Sequence, residues 1–121
     1  MKKIRVSEAT DSALDWMVAK ALGLAYRNDE KYGSMCFRTP MTKGVVIWGP
    51  YPLPYSTDWS QGGPIIEREK IATDYDHDVW NAAKYGLSWY VGGPTPLIAA
   101  MRCYVASKLG DEVDVPEELV C

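Results

Sequence analysis

The residue types most suited to holding a ligand lie together in the middle of the chain. Ser56, Thr57 and Asp58 precede Trp59, and Gln61 follows two positions later. Their hydroxyl, carboxylate and amide groups can hydrogen-bond a base or a sugar, and the indole ring provides a flat surface for stacking. The pattern predicts a ligand-binding segment. Its alternative is a helix cap, in which the same polar groups bond the backbone.

Two glycine-proline segments each precede a predicted helix. The N terminus of a helix presents unpaired N–H groups and the positive end of the helix dipole, so it favours phosphate or carboxylate. Glycine at such a position lets the anion approach the backbone. The alternative is that glycine and proline only form turns and first helical turns here. The residues predicted to contact an anion are Gly62, Gly63, Gly92, Gly93, Thr95 and Arg102, with Arg68 as a second neutralising charge.

The sequence lacks the patterns of catalytic and metal sites. His77 is the only histidine, so one chain cannot form a Ser–His–Asp triad or a three-histidine zinc site. The alternating carboxylates of Asp74, Asp76 and Asp78 resemble the start of a calcium loop, but Val79 stands where that loop needs glycine. Segment 73–78 is therefore predicted to be a solvated acidic loop. We expect no catalytic residues, no metal and no cofactor.

Composition and charge favour one globular domain. The 121 residues are 47% hydrophobic and 24% charged, and the net charge of −3 with scattered basic residues argues against binding extended nucleic acid. No apolar run reaches membrane-spanning length. The three cysteines fit neither a disulfide framework nor metal knuckles, which indicates free thiols in a reducing cytoplasm, with Cys103 in the core or at an interface. Five Trp and eight Tyr against one Phe favour half-buried interface positions, and predict a homo-oligomer, most simply a dimer.

Apolar spacing and caps predict three helices and several strands in an α+β fold. Trp16 lies outside the apolar stripe of the first helix, so it is expected at an edge or against a partner. The second helix begins after Asp58 or, because glycine disfavours its first turns, at Pro64. The predicted helices are 11–22 (capped by Thr10 and ended by Gly23), 59–70 or 64–70, and 96–109 (capped by Thr95); the predicted strands are 24–27, 35–38, 45–48, 80–85 and 87–91, and the acidic tail 111–121 is placed on the surface.

Two long motifs resemble those of a known family. Ser56–Glu69 and Gly93–Lys108, with Leu14-Asp15-Trp16 and Val18-Ala19-Lys20, are similar to the NinX-like family of small tailed-phage proteins, whose function is unknown. The resemblance implies a single domain over residues 1–121 and an accessory protein of the infected bacterial cytoplasm. A looser likeness to phage α-β-α sandwich domains implies a small antiparallel sheet packed with about three helices.

These observations lead to one favoured function and two rivals. The favoured hypothesis is a phage accessory protein that binds a small anionic, nucleotide-like ligand, in order to counter a host defence. The second is a protein-interaction module in which exposed Trp and Tyr inhibit or adapt a host or phage protein. The least favoured is an enzyme acting through Asp58 or the Glu67 and Glu69 pair.

Overall fold

The computed structural model describes residues 2–23, 25–29, 33–38 and 53–116, which form an α+β fold with antiparallel sheets and so confirm the predicted class. A short 3-10 turn, Val6–Glu8, follows the first strand. The elements in chain order are β1 (Lys2–Arg5), α1 (Asp11–Ala21), β2 (Ala25–Asp29), β3 (Gly33–Arg38), α2 (Trp59–Glu69), β4 (Ile71–Asp76), β5 (Val79–Lys84), β6 (Val91–Gly93), α3 (Pro96–Leu109) and β7 (Glu112–Val115).

Helix α3 is the centre of the molecule. It contacts α1, α2 and the sheet formed by β4, β5 and β6, and nearly every residue from Leu97 to Val105 is buried. A helix that is apolar all round is stable only when other elements surround it. The predicted caps are confirmed, since the Thr95 hydroxyl accepts a hydrogen bond from Ile98 N at 3.1 Å and Pro96 occupies the first turn. Cys103 is buried, in agreement with the first of its two predicted places, the core.

The sheet beside α3 corrects the predicted acidic loop at 73–78. Ile71–Asp76 is strand β4, and it pairs antiparallel with β5 from Ile71 opposite Lys84 to Asp76 opposite Val79. His77 and Asp78 form the connecting turn with φ of 53° and 63°, the left-handed pair that a tight hairpin requires. The strand was missed because the loop was predicted from the number of carboxylates. The alternation of these carboxylates with Ile71, Thr73 and Tyr75, which is typical of a strand, was not considered. The predicted strand 87–91 is also wrong, since β6 begins only at Val91.

A second sheet joins the two ends of the described chain. Strand β1 pairs antiparallel with β7, with Lys2 opposite Val115 and Arg5 opposite Glu112. Val113 and Val115 are buried, so the prediction of a surface tail is wrong for these residues. The apolar residues alternate with acidic ones, and this two-residue period marks a strand with one buried face.

Helix α1 is buried over more of its surface than its apolar stripe predicted. Trp16 is completely buried, which corrects its expected place at an edge, because the whole run from Ala13 to Ala19 lies against neighbouring elements that include α3 and β7. Thr10 occupies the N-cap position without a side-chain hydrogen bond. Gly23 ends the helix with φ of 83°, a conformation that glycine adopts without strain.

Strands β2 and β3 form an antiparallel hairpin, in which Ala25 lies opposite Arg38 and Arg27 opposite Cys36. This confirms the strands predicted at 24–27 and 35–38, whose ends differ from the observed ones by at most two residues. The third predicted strand, at 45–48, lies outside the described residues.

Candidate functional site

The polar segment before α2 works as a helix cap. Asp58 Oδ1 accepts hydrogen bonds from Ser60 N at 2.9 Å and from Ser60 Oγ at 2.7 Å. These bonds lower the pKa of Asp58, because they stabilise its charged form. The helix therefore begins at Trp59, and Gly62, Gly63 and Pro64 lie inside it. The alternative start at Pro64 is wrong, and this glycine pair does not stand at a helix N terminus.

Gly62 and Gly93 allow other elements to approach α3 closely. A Cβ on Gly62 would overlap the Tyr55 carbonyl and lie 2.7 Å from Leu97 Cδ1, whereas one on Gly93 would lie 2.8 Å from Ala99 N. Leu97 and Ala99 are two positions apart, about 200° around a helix, so the two glycines pack on opposite sides of its first turn. Packing thus accounts for both residues. Gly63 is different, since its Cβ would meet only Trp59 Cε3 at 3.8 Å.

The predicted ligand cluster at 56–61 is divided between interior and surface. Ser56 is buried, and its N–H donates to Asp15 Oδ1 at 2.8 Å, whereas Thr57, Asp58 and Trp59 are exposed and Gln61 is half-buried. Burial raises the pKa of Asp15 to about 6, and the contact with Ser56 offsets part of this rise. The Ser56 hydroxyl lies beside the same carboxylate without reaching hydrogen-bond geometry.

Arg102 bonds the protein itself. It is buried in α3, where Nε donates to Ala9 O at 2.9 Å and Nη1 donates to Gly92 O at 3.0 Å. Burial lowers the pKa of Arg102, and the charge of Glu8 raises it in part. Its guanidinium therefore joins β6 to the segment before α1, and an anion at Gly92 would compete with these carbonyls.

Three basic side chains from three elements meet at Glu69, and we call this group the Glu69 cluster. Arg68 Nε lies 2.9 Å from Glu69 Oε2, and Lys84 Nζ lies 2.9 Å from Oε1. Lys108 Nζ approaches the same Oε1 at 3.9 Å. Hydrogen bonds from Lys84 and then Arg68 lower the pKa of Glu69 to about 2, so its carboxylate stays charged. Three positive charges and one negative charge leave a net charge of +2.

The basic side chains of the cluster are more exposed to solvent than the carboxylate of Glu69. The Glu69 side chain is 14% exposed, whereas that of Arg68 is 55% exposed. Arg68 also donates to the hydroxyl of buried Tyr104 at 3.5 Å and lies 6.0 Å from the centre of its ring. Burial raises the pKa of Tyr104, so its hydroxyl keeps its proton at neutral pH. An anion approaching from solvent meets cationic groups first.

No sequence pattern indicated this cluster. Arg68 was predicted to be a neutralising charge for an anion, but no role was predicted for Lys84 or Lys108, which are 24 positions apart. They meet because Lys84 ends β5 and Lys108 stands in the last turn of α3, which packs on β5. No local pattern reports such a contact. Trp59 is nine residues from Arg68 on α2, about 13 Å along the axis, so it does not share this site.

Within residues 2–23, 25–29, 33–38 and 53–116, no group of three or more His, Cys, Asp or Glu side chains could hold a metal ion. None of the helices in those ranges is long and apolar enough to cross a membrane.

The architecture defines a small α+β domain in which sheet and helices enclose one central helix. A family model described as bacteriophage P22 NinX matches residues 5–108, from the end of β1 to the last turn of α3. The chain therefore belongs to the NinX family of phage proteins, as its two long motifs predicted. A comparison with curated proteins finds no match.

Proposed function

We propose that this phage protein binds a small anionic ligand without transforming it, and that the Glu69 cluster holds the anion. The observation that carries the proposal is the convergence of three cations on one carboxylate. Glu69 can neutralise only one of them. A phosphate or carboxylate can pair with the outer cations, Arg68 by its planar fork and Lys108 as a point charge.

The chemistry around the cluster favours binding over catalysis. Tyr104 and Cys103, which could act as acid or nucleophile, lie near Arg68 and Lys84, and burial raises the pKa of both. Their neutral forms persist at neutral pH, so neither supplies a phenolate or thiolate. The neutral Tyr104 hydroxyl instead accepts from Arg68 and helps to orient its guanidinium.

The phage family gives this binding a biological setting. A phosphate-bearing, nucleotide-like signal is the anionic ligand whose capture would counter a host defence, as the sequence hypothesis proposed. Phosphate groups carry the charge that a +2 cluster attracts. The cluster is local, so it suits a small ligand better than an extended nucleic acid, which needs a row of cations.

Isothermal titration calorimetry on charge-altering variants tests the site. The ligands are pyrophosphate and a panel of adenine and guanine nucleotides. Lys84→Gln and Lys108→Gln should each weaken binding, whereas Glu69→Gln should strengthen it because it removes the competing carboxylate. One charge at about 4 Å in water is worth about 1 kcal/mol, or roughly a fivefold change in Kd. Lys3→Gln on exposed β1 is the matched control and should leave Kd unchanged.

The opposite responses of the two kinds of variant make the test decisive. If Glu69→Gln binds no more tightly than the natural protein, the cations are not free to hold a ligand. If no phosphate compound binds at millimolar concentration, the cluster only ties α2 to β5 and α3, and the proposal fails.

A protein-interaction module is the second candidate, favoured by large aromatic side chains on the surface. Trp59, Tyr75, Tyr85 and Tyr90 are all more than half exposed. Aromatic residues are enriched in interfaces, so self-association as a dimer is the simplest form of this function. Light scattering at high concentration tests it, and a mass that stays at 13.5 kDa would contradict the dimer.

A further inference from the structure

An open cleft of about 760 Å³ separates the edge of β6 from the sheet formed by β1 and β7. Trp89, Tyr90 and Gly92 line it on the side of β6, Arg5 and Glu112 line it on the side of the β1–β7 sheet, and Asp111 immediately precedes β7. The half-buried side chains of Val91 and Ala106 add apolar surface. The cleft therefore combines a small apolar surface with aromatic and acidic side chains.

This cleft is distinct from the Glu69 cluster. Its contact with α3 is made by Ala106, whereas the cluster uses Lys108. These residues are about 200° apart around the helix, so the two sites lie on opposite sides of α3. A ligand in one site does not touch the other.

The walls of the cleft are fixed by buried hydrogen bonds. Arg102 bonds Gly92 O on one wall and Ala9 O beside the other, so its guanidinium crosslinks them. Val6 N donates to Asp111 O at 2.8 Å, which joins the backbone after β1 to the backbone before β7. Binding here therefore needs little rearrangement, which favours affinity.

The charges of the cleft leave one carboxylate in excess. Arg5 lies directly opposite Glu112 in the β1–β7 pairing, so these two offset each other. Arg102 is buried and its charge interacts with that of Glu8, so it does not offset the carboxylates of the cleft. Exposed Asp111 remains, in a cleft that is also lined by Trp89 and Tyr90, whose ring faces are electronegative.

We propose that this cleft binds an organic cation, with a primary ammonium or guanidinium group on an aliphatic body. The cationic head lies against Trp89 and Tyr90 with Asp111 as its counter-charge. The aliphatic part covers Val91 and Ala106. A free polyamine and an arginine or lysine side chain of a peptide share this chemistry. The site rests on different residues from the anion site, and it stands whether or not the Glu69 cluster binds an anion.

Calorimetric titration of the full chain with four probes tests the proposal. Butylguanidinium and spermidine should bind, and butylurea, the neutral analogue of the first, should not. The peptide Gly-Arg-Gly completes the set. Tighter binding of spermidine indicates a free polyamine as the ligand, and tighter binding of the peptide indicates an exposed side chain of a partner.

Variants locate the binding. Asp111→Asn should weaken butylguanidinium roughly fivefold, the Coulomb contribution of one charge at close range. Trp89→Ala should weaken it about two- to fivefold, as expected for a cation over an exposed ring, while Trp89→Phe should retain most of the affinity. Tyr85→Ala and Asp74→Asn are the controls, because both residues are exposed and lie outside the cleft.

Three results would overturn the inference. The first is butylurea binding as tightly as butylguanidinium, since the site would then select shape and not charge. The second is equal loss of binding in the controls and the cleft variants, with folding verified by circular dichroism. Failure of all cationic probes with the natural protein would also remove the site, and none of these results bears on phosphate binding at Glu69.

Discussion

Replacing Asp15 by asparagine should stabilise the protein at neutral pH. The carboxyl is buried on α1, and its pKa is about 6 against an ordinary value of 3.8. Because the folded state holds the proton more tightly than the unfolded chain, the free energy of unfolding from this group falls as pH rises between about 4 and 6. A difference of about two pKa units at about 1.4 kcal/mol each gives a penalty of up to about 3 kcal/mol above pH 6.

Asparagine is the appropriate replacement because it removes the charge and keeps an oxygen for the Ser56 N–H, which bonds Asp15 Oδ1 at 2.8 Å. Urea unfolding followed by tryptophan fluorescence should show Asp15→Asn more stable than the natural protein by about 1–3 kcal/mol at pH 7.5. The difference should shrink to near zero at pH 4, where both side chains are neutral.

The control is Asp74→Asn on the exposed face of β4, which should change stability by no more than about 0.5 kcal/mol at either pH. Because the pKa of Glu69 is lowered, the contribution of this group to the free energy of unfolding falls only as the pH drops from about 4.5 towards 2. This effect is the same in the natural protein and in Asp15→Asn. Equal destabilisation of Asp15→Asn at pH 4 and pH 7.5 would contradict this prediction, since the charged carboxylate would then stabilise the folded state at both pH values.

Two further comparisons test the packing and capping of the helices. Gly62→Ala should destabilise the protein by about 1–3 kcal/mol because its Cβ would overlap the Tyr55 carbonyl, whereas Gly63→Ala has room and should gain up to about 1 kcal/mol of helix propensity. Urea denaturation measures both, and equal effects would contradict the packing assigned to Gly62. Asp58→Ala and Thr95→Ala should each cost about 1 kcal/mol in the same assay, and no loss in either would show that its cap is dispensable.

Local signals were sufficient to predict α3 and insufficient for α2. The last helix carries a cap, a proline at its first position and a continuous apolar pattern, and all of these agree. In α2 the signals conflict, because Gly62 and Gly63 oppose the helix that Asp58 begins. The tight contact of Gly62 with α3 resolves the conflict, and that contact depends on the tertiary fold.

The candidate sites were harder to predict than the helices because they depend on long-range contacts. Arg102 was identified as an important cation, but its partners Ala9 and Gly92 follow only from the packing around α3. Lys84 and Lys108 carry no motif at all. Residue types predicted which groups could act, whereas the distances between elements determine which groups meet.

The pairing of β1 with β7 affects how the protein is made. Its partners are about 110 positions apart, from Lys2 opposite Val115 to Arg5 opposite Glu112. During synthesis β1 leaves the ribosome early and has no ladder partner until residues 112–115 follow. Contacts of such long separation form slowly, because the intervening chain must first be brought together. Completion of this sheet is therefore a late step of folding, and a nascent chain stalled before residue 112 would present β1 to chaperones as an unpaired edge.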